Sequence, residues 1–314
     1  MAPPPLRPWL LVAPLLCPAA FGQPLLVAHE PEVRWLFALE LMRAALEAHA
    51  EAPSPDSLQD FEEGLDLVRE SLRTRSLPFS SRWEGFLQRV EHLSPAEPSN
   101  LRPLLREAED LFPQIQASLV PHLDPALRAG LAVQLALGNK GVAASYREGF
   151  LGRKAAYRLG FFLLWQLELQ VRELKPFLPP ETWSRVAEAL AALRELYPSS
   201  GWPERFRDPE RAREAALDLA FALEAGLGVD LLPRDPRQGL GYLHRLVQLA
   251  CQAPPGQGEE AWAAARLFFR SYLLLPLGAN APTQADALAQ ALEGPPSCDR
   301  LPVLLQEAEE APWE

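Results

Sequence analysis

Residues 31–50, PEVRWLFALELMRAALEAHA, set the reading of the whole chain. Trp35, Leu39, Met42, Leu46 and His49 recur at alternating spacings of four and three, the period that places them on one buried stripe of an α-helix. Composition extends that signal outward. Ile115 is the sole isoleucine and Thr74, Thr182 and Thr283 are the only threonines, so the β-branched residues that suit strands are scarce, while Leu, Ala, Glu and Arg dominate. At 314 residues and 34.8 kDa, with 48% hydrophobic residues, the chain can bury one large or two modest cores. The expected fold class is all-α, made of helical hairpins or a bundle.

The 33 prolines act as punctuation in this reading. Ser54-Pro55 begins a helix that runs to about Arg75. Asp124-Pro125, Asp208-Pro209 and Asp235-Pro236 each pair a capping carboxylate with a proline whose missing N–H is harmless in the first turn. Turn formers cluster between Tyr197 and Glu210, which predicts a division there. The expected organisation is a leader at 1–22, an N-terminal helical domain at 23–200 and a C-terminal helical-hairpin domain at 201–314. The acidic end, EAEEAPWE at 307–314, is expected to fray.

A second informative stretch is GLGVDLLPRDPRQGLGYLHRLVQLAC at 226–251. Ala216, Leu217, Ala220 and Phe221 form an apolar face before it, and Leu240, Leu243, Val247 and Ala250 form another after the loop. Gly226 and Gly228 permit a tight reversal, so one of them is expected at positive φ, and the product is a helical hairpin. From Glu214 to Gln252 the segment resembles a Sel1-like repeat, a relative of the tetratricopeptide repeats. The likeness lies in Ala216, the GLGV of Gly226 to Val229, Asp235 and Tyr242. It departs in the length of the loop from Val229 to Asp235 and in Gly239 and Leu246, where that family usually carries alanine. The resemblance implies partner recognition. It requires that the helix of 212–224 pack antiparallel on that of 236–251, with 260–292 as a neighbouring pair. An independent helix-turn-helix corner is the alternative.

A net charge of −11 and a pI near 5.1 argue against a general nucleic-acid binder, which needs a basic surface. MAPPPLRPWLLVAPLLCPAAFGQ has Arg7 before a short apolar run and small residues Ala20 and Gly22 at its end, the pattern of a secretory leader cut after Gly22. Periplasmic or extracellular location is expected, and no later run spans a bilayer. Removal of Cys17 leaves Cys251 and Cys298, which either pair or stay as separate buried thiols.

Familiar chemistry is missing: no HExxH, CxxC or GxSxG occurs, and LGNKGVAAS at 137–145 lacks the Gly-Lys-Ser/Thr ending of a phosphate loop. None of the histidines His29, His49, His92, His122 and His244 pairs with another at ligand spacing. Glu62-Glu63 and Glu259-Glu260 read as charged helix starts. No metal, cofactor or catalytic residue is expected. The candidate binding residues are Lys140, Arg147, Lys154 and Arg158, whose spacings of seven, seven and four would align them as a basic ridge on one helix over 140–172. Tyr146, Phe150, Tyr157, Phe161 and Leu164 would form the core stripe beside it. The functional expectation is an exported, non-enzymatic helical scaffold that binds another envelope or extracytoplasmic protein. The rival is a periplasmic metal-handling protein or hydrolase whose site is assembled from distant segments.

Overall fold

A computed structural model describes residues 28, 31–74, 78–93, 101–232, 236–253, 258–294 and 297–311. The expected leader at 1–22, His29 and the Asp235 cap lie outside the described residues. Fourteen α-helices and no strand occur among those described, so the fold is all-α. The first nine are α1 (Pro31–Glu51), α2 (Pro55–Thr74), α3 (Ser80–Glu91), α4 (Arg102–Leu119), α5 (Pro125–Leu137), α6 (Val142–Phe150), α7 (Lys154–Leu174), α8 (Pro180–Leu196) and α9 (Glu210–Leu227). They are followed by α10 (Pro236–Gln252), α11 (Glu259–Phe268), α12 (Leu274–Asn280), α13 (Pro282–Glu293) and α14 (Leu301–Glu309).

Local chemistry explains several starts. Asp124 is extended, and its carboxylate accepts from the Leu127 N–H at 2.8 Å, with Pro125 in the first turn of α5. The Asp208 carboxylate accepts from the Glu210 N–H at 3.0 Å and opens α9. The Ser54 hydroxyl accepts from the Ser57 N–H at 3.2 Å at the start of α2.

The helix that opened the sequence reading is more deeply placed than a single stripe implies. Every residue of α1 from Val33 to Met42 is buried, because α2, α4, α5 and α7 surround it. A helix enclosed on all sides must also take its charges inside, and Arg34 and Glu40 are both buried. His49, at its end, is fully buried and hydrogen-bonded through Nδ1 to the Ser57 hydroxyl at 2.8 Å.

Two hydrophobic cores result. The first runs from Ala28 through α9 to Leu231 and Leu232, and the second is built from α10 to α14, beginning at Leu240. The cores therefore part between 232 and 240, not between 197 and 210. The turn-rich segment is no linker: Phe206 packs on Tyr146 and Tyr157, and the Arg207 N–H donates to the Tyr146 hydroxyl at 2.9 Å. That stitching carries α9 back onto α8, α5 and α6.

The same division corrects the hairpin expected around 226–251. Among the described residues α9 packs chiefly on α8, whereas α10 packs on α11 and α14, so the two halves of the repeat-like unit serve different cores. Gly228 does end α9 in the left-handed region, at φ +66°, as the reversal requires. Gly226 acts differently: a Cβ there would lie 2.6 Å from both Leu178 Cδ2 and Thr182 Cγ2, so its missing side chain admits α9 to the start of α8. Glu224 turns inward and accepts from the N–H groups of Leu231 (2.8 Å) and Leu232 (3.0 Å), fixing the chain as it leaves the first core.

Within the second core Tyr242 meets Phe268 edge-on at 4.7 Å, and the Trp262 indole donates to the Gly294 carbonyl at 3.3 Å. Cys251 and Cys298 form a disulfide, with Cα atoms 5.6 Å apart, which ties the end of α10 to the approach to α14. Of the acidic end, the described residues 307–311 do not fray: α14 continues to Glu309, and Ala308 and Ala311 are buried. Glu62 and Glu63 sit in the middle of α2, not at its start. No described helix is long and apolar enough to cross a membrane.

Candidate functional site

The helix expected over 140–172 is broken into α6 and α7 by a turn at Leu151–Arg153, where Gly152 has φ +100°. Gly149 and Gly160 explain why the pieces fold together. A Cβ on Gly149 would approach Tyr157 Cβ to 2.8 Å, and one on Gly160 would meet the Tyr197 hydroxyl at 2.2 Å and Ser145 Cβ at 2.8 Å. Close packing of α6 on α7 thus replaces a straight helix, and Lys140, Arg147, Lys154 and Arg158 do not form a continuous ridge.

Each candidate has its own surroundings. Lys140 precedes α6 and is partly buried, with Nζ 2.8 Å from Asp60 Oδ1 and 3.0 Å from Glu63 Oε2. Burial opposes its charge, but the hydrogen bonds and charges of Asp60 and Glu63 outweigh that and raise its pKa. This pairing makes Lys140 a clamp between α2 and the turn before α6. Arg147 is exposed, 3.8 Å from Glu148, which also holds Arg153 at 2.7 Å. Lys154 places its ammonium 5.7 Å from the Trp202 ring centroid, within cation–π range. Arg158 Nε is buried without a hydrogen-bond partner.

The turn between α6 and α7 instead presents an aromatic knuckle. Phe150 is 48% exposed, Leu151 67% and Trp202 40%. Phe206 joins them from below, 6.2 Å from Phe150 and 4.9 Å from Trp202 between ring centroids, both in edge-on geometry. Arg147, Arg153 and Lys154 surround this apolar surface in sequence. Of the expected stripe, Tyr146, Tyr157 and Leu164 are buried and Phe161 is half-buried, while Phe150 faces out.

The knuckle stands on a rigid base. The Tyr197 hydroxyl donates to the Val142 carbonyl at 2.8 Å, and that of Tyr157 to the Ser199 carbonyl at 3.2 Å. Burial pushes the Tyr157 phenol up to about 12 and that of Tyr197 well above its ordinary range, so both stay neutral at physiological pH. Their hydroxyls are used by the backbone and serve placement.

A mixed-charge cleft of about 400 Å³ adjoins the corner, lined by Asp56, Asp60, Lys140, Ser145, Arg147 and Glu148 among others. Its cations are answered locally by carboxylates, as the ion pairs above show. Among the described residues no group of three or more His, Cys, Asp or Glu side chains is placed to hold a metal ion. Sequence reasoning missed Leu151, Trp202 and Phe206; the available signal was the pair of aromatics inside GWPERF, at 201–206, in a stretch otherwise made of turn formers. Compared with protein-family models, curated proteins and solved structures, the chain matches none.

Proposed function

We propose that this protein is an exported, non-enzymatic helical scaffold that docks an extracytoplasmic protein on the knuckle formed by Phe150, Leu151 and Trp202. The carrying observation is the exposure of these three large apolar side chains together at a corner whose aromatic base is buried and hydrogen-bonded. Scattered apolar residues on a surface need no explanation, but a contiguous, rigidly supported group marks an interaction site. Aromatic anchors supply much of the affinity at protein interfaces, and Arg147, Arg153 and Lys154 around this one favour a partner with acidic residues at the rim. The Cys251–Cys298 disulfide supports the export reading, because such bonds persist in oxidising compartments.

The test compares capture of envelope proteins by the full chain and by a Phe150→Ser, Trp202→Ala double variant of matched helicity. A partner held by the native chain and lost by the variant supports the proposal; an identical set of partners refutes it. Arg147→Glu with Lys154→Glu should weaken the same partner and flatten its salt dependence.

A further inference from the structure

Away from the knuckle, a groove of about 380 Å³ lies between α2 and α3. Its floor is apolar: Phe61 and Leu65 of α2 and Val90 of α3 are buried there, with Leu58 and Leu87 half-buried beside them. Phe61 also meets Phe86 of α3 at 6.3 Å between ring centroids, so both walls belong to the first core. The rim is acidic. Glu62, Asp66 and Glu91 are exposed around that floor, and Arg69, the one cation in the lining, stands 3.0 Å from Asp66. The arginines of α3 do not offset these charges, because Arg82 and Arg89 are paired with Glu107 and Asp110 of α4.

An apolar floor ringed by carboxylates is the counterpart of the knuckle, whose Phe150 and Leu151 are exposed among Arg147, Arg153 and Lys154. Opposite charges at a rim steer approach and favour one docking register. A chain of net charge −11 repels its own copies unless patches of opposite sign meet, and these two surfaces supply them.

One molecule cannot make this contact with itself. At about 100° per residue, Asp60 and Glu63 lie roughly 140–160° around α2 from Leu58 and Leu65. Lys140 fastens the start of α6 to Asp60 and Glu63, and Arg147 and Arg153 share a cleft with Asp56 and Asp60. The knuckle therefore stands on the far side of α2 from the groove. Two different surfaces meeting across two copies make a heterologous contact.

We propose that the groove between α2 and α3 receives the Phe150–Leu151 tip of a second copy of this chain, with Arg147, Arg153 and Lys154 of that copy against Glu62, Asp66 and Glu91. The assignment rests on the knuckle being a docking site and names its partner as another molecule of the same protein. A contact of this size belongs to the weak, transient class, so sedimentation equilibrium of the full chain up to about 500 µM tests it. The mean mass of the native protein should rise with concentration. Phe150→Ser with Trp202→Ala removes the knuckle, and Glu62→Lys with Asp66→Lys reverses the groove; all four side chains are exposed, and circular dichroism verifies the fold. Each double variant alone should associate at least about tenfold more weakly. An equimolar mixture of the two should regain a dimer, because it holds one intact knuckle and one intact groove. Glu91→Lys, on the other wall, should also weaken association and keeps the test sound if the α2 variant misfolds. A native protein that stays monomeric over this range, association unchanged in either double variant, or a mixture of folded variants no heavier than its components overturns the inference. If the native chain is monomeric while its knuckle captures a different envelope protein, the docking reading stands and this one alone falls; if capture fails as well, both fall.

Discussion

Replacing Glu47 by glutamine should stabilise the protein, and by an amount that depends on pH. Burial pushes the Glu47 carboxyl up from the ordinary 4.5 to about 7; Arg43 opposes that shift, while Glu40 and Glu109 reinforce it. Glu51 and Arg102 line one cleft with it. Because the folded-state pKa is raised, the native protein holds a proton that the unfolded chain releases between pH 4.5 and 7. Stability from this group is therefore fully present below pH 4.5 and is lost as pH rises through 7. At about 1.4 kcal/mol per pH unit, the interval from 4.5 to 7 amounts to roughly 3 kcal/mol. Glutamine occupies the same volume and stays neutral. The variant should match the native protein near pH 4.5 and exceed it by up to about 3 kcal/mol at pH 8. Urea unfolding followed by circular dichroism at pH 4.5, 6, 7 and 8 measures the difference. Taking that difference cancels most of the contribution of other groups, including Glu40, whose pKa burial also raises. Parallel stability–pH curves for the two proteins, or a native protein more stable than the variant at pH 8, would refute the reasoning.

The loop after α9 and the second core give two further tests. Gly228→Val forces a β-branched residue to φ +66° and should cost on the order of 1–2 kcal/mol, whereas Gly226→Val presses on Leu178 and Thr182 and should cost roughly 1–3 kcal/mol by overpacking; thermal denaturation measures both. Replacing Cys251 and Cys298 by serine opens a link across 47 residues, worth about 4 kcal/mol in the chain-entropy account. Both cysteines belong to the α10–α14 part of the chain, so hydrogen exchange should show the lost protection there and leave α1 to α9 unchanged.

The sequence displayed helix formation more openly than helix partnership. Spacing alone identifies α1, and the Asp-Pro pairs locate the starts of α5 and α9, because caps and periodicity are local effects. The enclosure of α1 depends on α4, α5 and α7, which lie far along the chain, and no local period reports it. The segment 197–210 reads as a boundary from its turn formers, yet Tyr197 is buried in the first core and Phe206 packs against it, which reverses that reading. Charge spacing suggested a ridge through Lys140, Arg147, Lys154 and Arg158; the turn at Leu151–Arg153, with Gly152 at φ +100°, breaks the helix that the ridge required, and the close approaches at Gly149 and Gly160 let the two pieces pack together. Glu47 stayed inconspicuous because an acidic residue in an amphipathic helix is ordinarily solvated. Its burial comes from helices that lie far along the chain and pack around α1.

The central position of α1 also bears on how the chain is made. Among the described helices it is the first to leave the ribosome, but the helix that covers one of its sides, α7, ends roughly 120 residues later, which at about 5–20 residues per second is a delay of roughly 6–25 seconds. Throughout that interval the apolar surface around Trp35, Phe37, Leu41 and Met42 has only α2, and then α4 and α5, to cover it. A holding chaperone acting during synthesis would find a target in this helix, and its release would be timed by the emergence of α7.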